Sequence, residues 1–179
     1  NVLQVLGSRS THVRGEIGGM QGRQLKAGDY VEGFDAAQPI AKRLILPREF
    51  IPRFSHEIDA EVVLGPQSAS FTEKGLQTFL SNPFLVTSEA DRMGYRLEGP
   101  TIEYSEHVDT ISEAILPGSI QVPASGKPIV IMKDAQTTGG YPKIAVVISV
   151  DLHTLGQGKP NDKVRFHETD LSTAHRKLQ

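Results

Sequence analysis

The sequence predicts a mainly β fold, a barrel or sandwich of short strands with few helices, on three observations. Its apolar runs are short and rich in β-branched residues, they are bounded by Gly, Pro, Asn or Asp, and helical periodicity is rare. In chain order the predicted strands are Val2–Leu6, Tyr30–Gly33, Glu61–Leu64, Phe84–Ser88, Met93–Glu98, Ile120–Pro123, Ile129–Lys133, Ile144–Val150 and Lys163–His167. Turn chemistry separates them at Ala27-Gly28-Asp29, Leu64-Gly65-Pro66, Leu116-Pro117-Gly118, Ser125-Gly126-Lys127-Pro128 and Lys159-Pro160-Asn161-Asp162. Closely spaced strands with such turns favour closure into a barrel or packing as a sandwich. Three helical signals remain. Thr72 can cap Glu73–Leu80, where Leu76, Phe79 and Leu80 share a face; Pro39–Leu44 can form a short turn; and Leu171–Leu178 after Asp170 reads as an amphipathic helix.

The chain has 179 residues, enough for one large or two small domains, and Arg48–Asp59 is the one plausible internal boundary. Lysines and arginines number 19 against 21 acidic residues, a formal net charge of −2. That balance argues against a general nucleic-acid or anionic-membrane surface. No cysteine is present, which excludes disulfides, thiolate nucleophiles, zinc-thiolate sites and iron–sulfur clusters. The longest apolar stretches, such as Ile144–Val150, are far short of the roughly 20 residues of a spanning helix, so the chain reads as soluble. It begins at Asn1 with a strand pattern already under way, which reads as an internal piece of a longer polypeptide.

Several familiar motifs fail. The run Gly15–Gly22 is glycine-rich, but no helix pattern follows and no Gly-Lys-Ser/Thr closes it, so it reads as a turn rather than a phosphate loop. His12, His56, His107, His153, His167 and His175 lack metal-ligand spacing, and no metal site is expected. No Gly-x-Ser-x-Gly elbow occurs.

Three clusters stand out: Gly7–Gly15 continuing to Arg23, Ser88–Pro100, and Asp134–Pro142. They combine arginine, hydroxyl and glycine beside strand ends, where a rigid scaffold holds side chains into a cleft. Arginine offers a charged fork for carboxylate, phosphate or bicarbonate oxygens, and glycines let backbone amides approach a ligand. Taken singly, each has an ordinary structural reading: Asp91 as ion-pair partner of Arg92 or Arg96, Thr137 and Thr138 as strand residues, and Gly139–Pro142 as a tight turn.

In order, the clusters resemble the biotin-dependent carboxyltransferase/allophanate hydrolase subunit 2 family, also called KipA or the C subunit of 5-oxoprolinase. The resemblance rests on Gly7-Ser8-Arg9-Ser10-Thr11, Gly18-Gly19 with Gly22-Arg23 and Gly28-Asp29, Gly65-Pro66-Gln67, Ser88 with Asp91–Gly99, Pro117–Pro123, and Asp134 with Gln136–Pro142. It implies a cyclophilin-like β-barrel over residues 1–179, lacking an upstream first subdomain. It further implies a cytoplasmic component of an ATP-dependent 5-oxoprolinase that opens 5-oxoproline to glutamate with a KipI-like B subunit and a lactam-hydrolase A subunit. The alternatives are a carboxyltransferase half-module that moves a carboxyl group from carboxybiotin to urea, and a non-catalytic regulatory module acting with a KipI-like kinase inhibitor.

On this resemblance Arg92, Asp91 and Tyr95 are the expected catalytic residues, with Asp91 orienting the arginines. Arg96 joins Gln136, Thr137, Thr138, Gly139, Gly140 and Tyr141 in binding substrate, and Ser8 and Arg9 sit at the cleft rim. ATP with Mg is the implied cofactor, held by the partner or shared with it; biotin enters only in the urea reading and from another domain. The substrate is a small amide; neither nucleic acid nor membrane is an expected partner. Two departures from the pattern occur. Asn161 stands where Gly is usual, a residue that tolerates a left-handed turn. Met132-Lys133-Asp134 is a strand end rather than a biotin-carrier hairpin. The isolated 179 residues are expected to show no turnover, because a site between subdomains needs both walls.

Overall fold

The computed structural model describes residues 2–33, 45–52, 54–105 and 111–179. The chain divides into two compact units, Asn1–Ile51 and Pro52–Gln179, and the division falls inside the predicted boundary stretch. The expected turn at Pro39–Leu44, like His107, lies outside the described residues.

In the second unit the strands, numbered in chain order, are β1 (Glu57–Leu64), β2 (Phe84–Val86), β3 (Gly94–Glu98), β4 (Glu113–Ala114), β5 (Ser119–Gln121), β6 (Ile129–Ile131), β7 (Thr138–Gly139), β8 (Lys143–Val147) and β9 (Lys163–Glu168). Seven of them close a barrel in the order β1-β8-β5-β6-β3-β2-β9, while β4 and β7 pair separately as a two-stranded ribbon. The mainly β fold with short helices is therefore as the sequence predicts. Every barrel pairing is antiparallel except β1 with β9.

Alternation sets the barrel's inside and outside. On β1, Ile58, Ala60 and Val62 are buried while Glu57 and Asp59 are exposed. The outward carboxylates meet β9, Glu57 with Lys163 at 3.3 Å and Asp59 with His167 at 2.7 Å. These charged outward positions explain why β1 starts four residues before the predicted Glu61: they interrupt the apolar run without interrupting the pleat. The helix α1 (Glu73–Ser81) begins where the Thr72 hydroxyl accepts the Gly75 amide at 2.9 Å, as predicted. It stacks Phe79 on Phe166 with centroids 4.7 Å apart, and Phe84 packs beside them. All three rings are fully buried.

The predicted strand Ile144–Val150 is corrected. It ends at Val147, and Ser149–Leu155 forms a helix, α2. Leu152 and Leu155, three residues apart, turn toward the core, and the Asp151 carboxylate accepts the Glu61 amide of β1 at 2.8 Å. Tertiary contact thus overrides the β-branched run. The final helix, α3 (Leu171–Leu178), has Asp170 as its cap, whose carboxylate takes the Thr173 amide at 2.9 Å. Lys177 of α3 pairs with Glu61. Asn161 has φ 75°, the left-handed turn expected of it.

The first unit is built from turns. The strands predicted at Val2–Leu6 and Tyr30–Gly33 do not form: Val5 bridges only Ser8, around Leu6 and Gly7 at positive φ. An apolar run becomes a strand only when a neighbouring strand takes its amides and carbonyls. Gly15–Gly22 is mostly turn structure, as predicted, and the described residues from Arg23 to Gly33 form no helix after it. Gly22, at φ 67°, packs so tightly that a Cβ would lie 2.2 Å from the Glu16 carbonyl oxygen. Arg23 forks onto Asp29 at 2.7 and 2.8 Å, and Asp29 also accepts the Lys26 amide at 2.7 Å. Among the described residues of this unit, no apolar side chain is buried.

Candidate functional site

At the barrel end where β3 and β5 begin and β6 and β8 finish, a cavity of about 670 Å³ opens. Its walls carry Asp91 and Arg92 from the approach to β3, Tyr95 from β3 itself, Lys133 beyond β6, and His153 and Gln157 from α2 and the turn after it. The loop before β3 is shaped by Asp91, whose Oδ1 accepts the amides of Met93 at 2.8 Å and Gly94 at 3.1 Å. Because β3 and β6 are antiparallel neighbours, that loop lies beside the one leaving β6, and the Asp134 amide donates to the Arg92 carbonyl at 2.8 Å.

This adjacency fixes Arg92. Its Nε donates to Asp134 Oδ2 at 2.6 Å and its Nη2 to Oδ1 at 2.9 Å, a two-point grip that sets the plane of the guanidinium. Two of the five N–H donors go to Asp134, which leaves three for a ligand. Contact with Asp134 pushes the guanidinium pKa up, so Arg92 stays charged.

Tyr95 points into the barrel interior, its hydroxyl 3.0 Å from the Gly156 carbonyl and 3.1 Å from that of Gly158. Burial, and secondarily the charge of Asp162, push the phenol pKa up. The hydroxyl therefore stays protonated and tethers the segment after α2, which forms part of the cavity wall. Arg96, the next residue of the strand, faces the opposite side and pairs with Glu89 at 3.2 Å.

Of the predicted site residues, the cavity gathers Asp91, Arg92 and Tyr95; Arg96 and Gln136–Tyr141 do not line it. Gln136, Thr137, Thr138 and Gly140 are exposed along the segment containing β7, and Tyr141 is half exposed. Ser8 and Arg9 belong to the first unit, where Ser8 Oγ accepts the Ser10 amide at 3.1 Å and Arg9 reaches Gln4 at 3.4 Å.

A second polar group sits at the opposite barrel end, where β5 finishes and β8 starts. Lys143 Nζ lies 2.7 Å from Glu113 Oε2, and the Gln67 side-chain amide donates to the same oxygen at 2.8 Å. Lys143, then Gln67, hold the Glu113 carboxyl below its usual range. Gln121, buried on β5, donates to the Tyr141 carbonyl at 3.2 Å, and Gly139 rests on it so closely that a Cβ would be 2.6 Å from Nε2. Tyr104 donates to the Val122 carbonyl, and burial, with Tyr141 adding, pushes its phenol up to about 12.

Sequence reasoning assigned no site role to Asp134, Lys133, His153, Lys143 or Glu113. Asp134 was marked by opening the third cluster. Lys143 had a fainter signal, a lone cation heading an apolar strand. Among the described residues no group of three or more histidines and carboxylates could hold a metal ion, and no helix is long and apolar enough to cross a membrane.

The chain with this closed barrel belongs to the carboxyltransferase-domain family: the model for the carboxyltransferase domain, subdomain A and B, matches residues 1–168. Among relatives, it is 39% identical over 172 residues to the 5-oxoprolinase C subunit of Haemophilus influenzae, covering 96% of this chain and 53% of that protein. To the 5-oxoprolinase C subunit of Escherichia coli it is 35% identical over 176 residues, covering 97% and 54%. The crystal structure of Kluyveromyces lactis urea amidolyase superposes with a TM-score of 0.81 at 26% identity, over 98% of this chain and 12% of that one. The chain spans about half the length of the two 5-oxoprolinase proteins.

Proposed function

We propose that this chain is part of the C subunit of an ATP-dependent 5-oxoprolinase, which opens 5-oxoproline to glutamate with a KipI-like B subunit and a lactam-hydrolase A subunit. The observation that carries this reading is Arg92, fixed by Asp134 at the wall of the 670 Å³ cavity, in a chain 39% identical to a 5-oxoprolinase C subunit. Opening an unstrained amide requires its oxygen to take up negative charge. A donor already held in place stabilises that charge without reorganising at the moment of reaction.

ATP, when bound, supplies the phosphoryl group that activates the amide oxygen. The donor set of the cavity suits phosphate oxygens, with Arg92 and Lys133 the residues that would hold them. Asp134 orients the fork, Asp91 sets the loop that presents it, and Tyr95 keeps the far wall in place.

Arg92→Ala in the assembled complex is expected to lower ATP-dependent 5-oxoproline hydrolysis at least tenfold with no shift in Tm, as for loss of a charge-assisted contact. Unchanged turnover would overturn the role of Arg92. The likeness to K. lactis urea amidolyase favours a second reading, carboxyl transfer to urea. Activity on urea with bicarbonate and a biotinylated carrier, and none on 5-oxoproline, would select it.

A further inference from the structure

The Lys143 group is built as a receptor for one carboxylate. The Lys143 side chain is 8% exposed, and a desolvated ammonium of this kind requires an anion in contact with it. Its donors and its acceptor come from different parts of the fold. Lys143 heads a barrel strand, and Gln67 follows another, its Oε1 accepting the Lys143 amide at 3.3 Å. These donors are held by the barrel. The acceptor, Glu113, comes from a two-residue strand of the outer ribbon, and its side chain is 48% exposed. Both donors converge on one oxygen of Glu113, Oε2.

We propose that Lys143 and Gln67 form a binding slot for the carboxylate of a small molecule, with Glu113 occupying it until the ligand displaces it. The slot lies beside Gly139 and Tyr141, since Gln121, the ladder partner of Lys143, carries both. A ligand seated there by its carboxylate would extend along the ribbon that holds Thr138 and Gly139. Displacement trades one carboxylate for another at the same ammonium, so Lys143 stays paired throughout, and the released Glu113 has water to enter. The slot stands apart from the cavity that holds Arg92, and the proposal does not depend on the 5-oxoprolinase reading.

The test uses the 179-residue chain, with acetate and 5-oxoproline as carboxylate probes and 5-oxoprolinamide, which lacks the carboxylate, as control. The readout is the Gln67 side-chain amide resonance during titration. Both carboxylates are expected to shift it saturably, the amide is not, and Glu113→Ala should bind at least tenfold more tightly than the wild type because the internal competitor is gone. Lys143→Met in the Glu113→Ala background should abolish binding. If Glu113→Ala is poorly folded, the Tm of that variant becomes the readout: acetate should raise it saturably and sodium chloride at equal ionic strength should not. Three outcomes would each overturn the proposal: no saturable carboxylate effect in either readout, an equal response to 5-oxoprolinamide, or binding that survives loss of Lys143. Binding of acetate but not 5-oxoproline would keep the slot and assign it a smaller ligand. Unchanged turnover of Arg92→Ala with this slot intact would count against the role of Arg92 alone, and a complex active on urea but not on 5-oxoproline would count against the 5-oxoprolinase reading and leave the slot standing.

Discussion

The two compact units are held by different physics. In Pro52–Gln179 a core runs from Ile58 to Phe166, and the rings of Phe79, Phe84 and Phe166 are sealed from water. In Asn1–Ile51 no described apolar side chain is buried; Leu6 is 96% exposed and Tyr30 83%. That unit takes its form from left-handed glycines, short backbone bridges and the Arg23–Asp29 fork. Hydrophobic burial is strong and tolerates small shifts, whereas a turn-built region depends on a few backbone conformations and polar contacts. Family motifs occur in both, so resemblance alone does not distinguish the two kinds of support.

The sharpest way to break this comparison is through the core. Phe166→Ala removes a fully buried ring stacked on Phe79 and should cost about 3–5 kcal/mol, read from urea unfolding of the barrel. A loss under ~1 kcal/mol would mean the aromatic cluster is not what holds it. Next comes Gly22→Ala in the first unit. The left-handed backbone alone should cost roughly 1–2 kcal/mol, and the approach to Glu16 adds to it. Amide exchange should then rise within Asn1–Ile51; wild-type protection there would contradict the turn-built account.

A smaller effect is expected from pH. Arg23, then the Lys26 amide, lower the Asp29 carboxyl to about 2. A depressed carboxylate stabilises the fold fully above its unfolded value of ~3.9 and loses that contribution as pH falls through the folded value. The Asp29 carboxyl resonance should therefore titrate near pH 2 and move toward ~4 in Arg23→Ala; a midpoint near ~4 in the wild type would show the fork is not formed in solution. The smallest change in stability belongs to the exposed Arg92–Asp134 pair. Asp134→Asn should leave Tm unchanged yet lower turnover of the complex, by less than Arg92→Ala, because the fork loses its orientation and keeps its charge.

Much of the barrel was legible. Phe84–Ser88, Met93–Glu98, Ile129–Lys133 and Lys163–His167 carry their strand signals locally, and Thr72 and Asp170 announce their helices by capping chemistry. The failures lie where identical local signals met different surroundings. Val2–Leu6 looks as strand-like as Lys163–His167 but is not paired into a ladder, and the end of Ile144–Val150 turned into α2 because Leu152 and Leu155 could be buried that way. Within the site, period-two alternation already separates Tyr95 from Arg96, a distinction the motif grouping overlooked.

The sequence by itself determined the strand-rich class, the capped helices, the family and the presence of an oxyanion-binding inventory, because each is written in residue type and short-range spacing. Only the tertiary structure decided which members of that inventory act together. Arg92 meets Asp134 across 42 residues because β3 and β6 are neighbours, and Lys143 meets Glu113 across 30 because the ribbon lies against the end of the barrel. Such pairs depend on strand order and barrel closure, long-range properties set by packing, which no local pattern encodes.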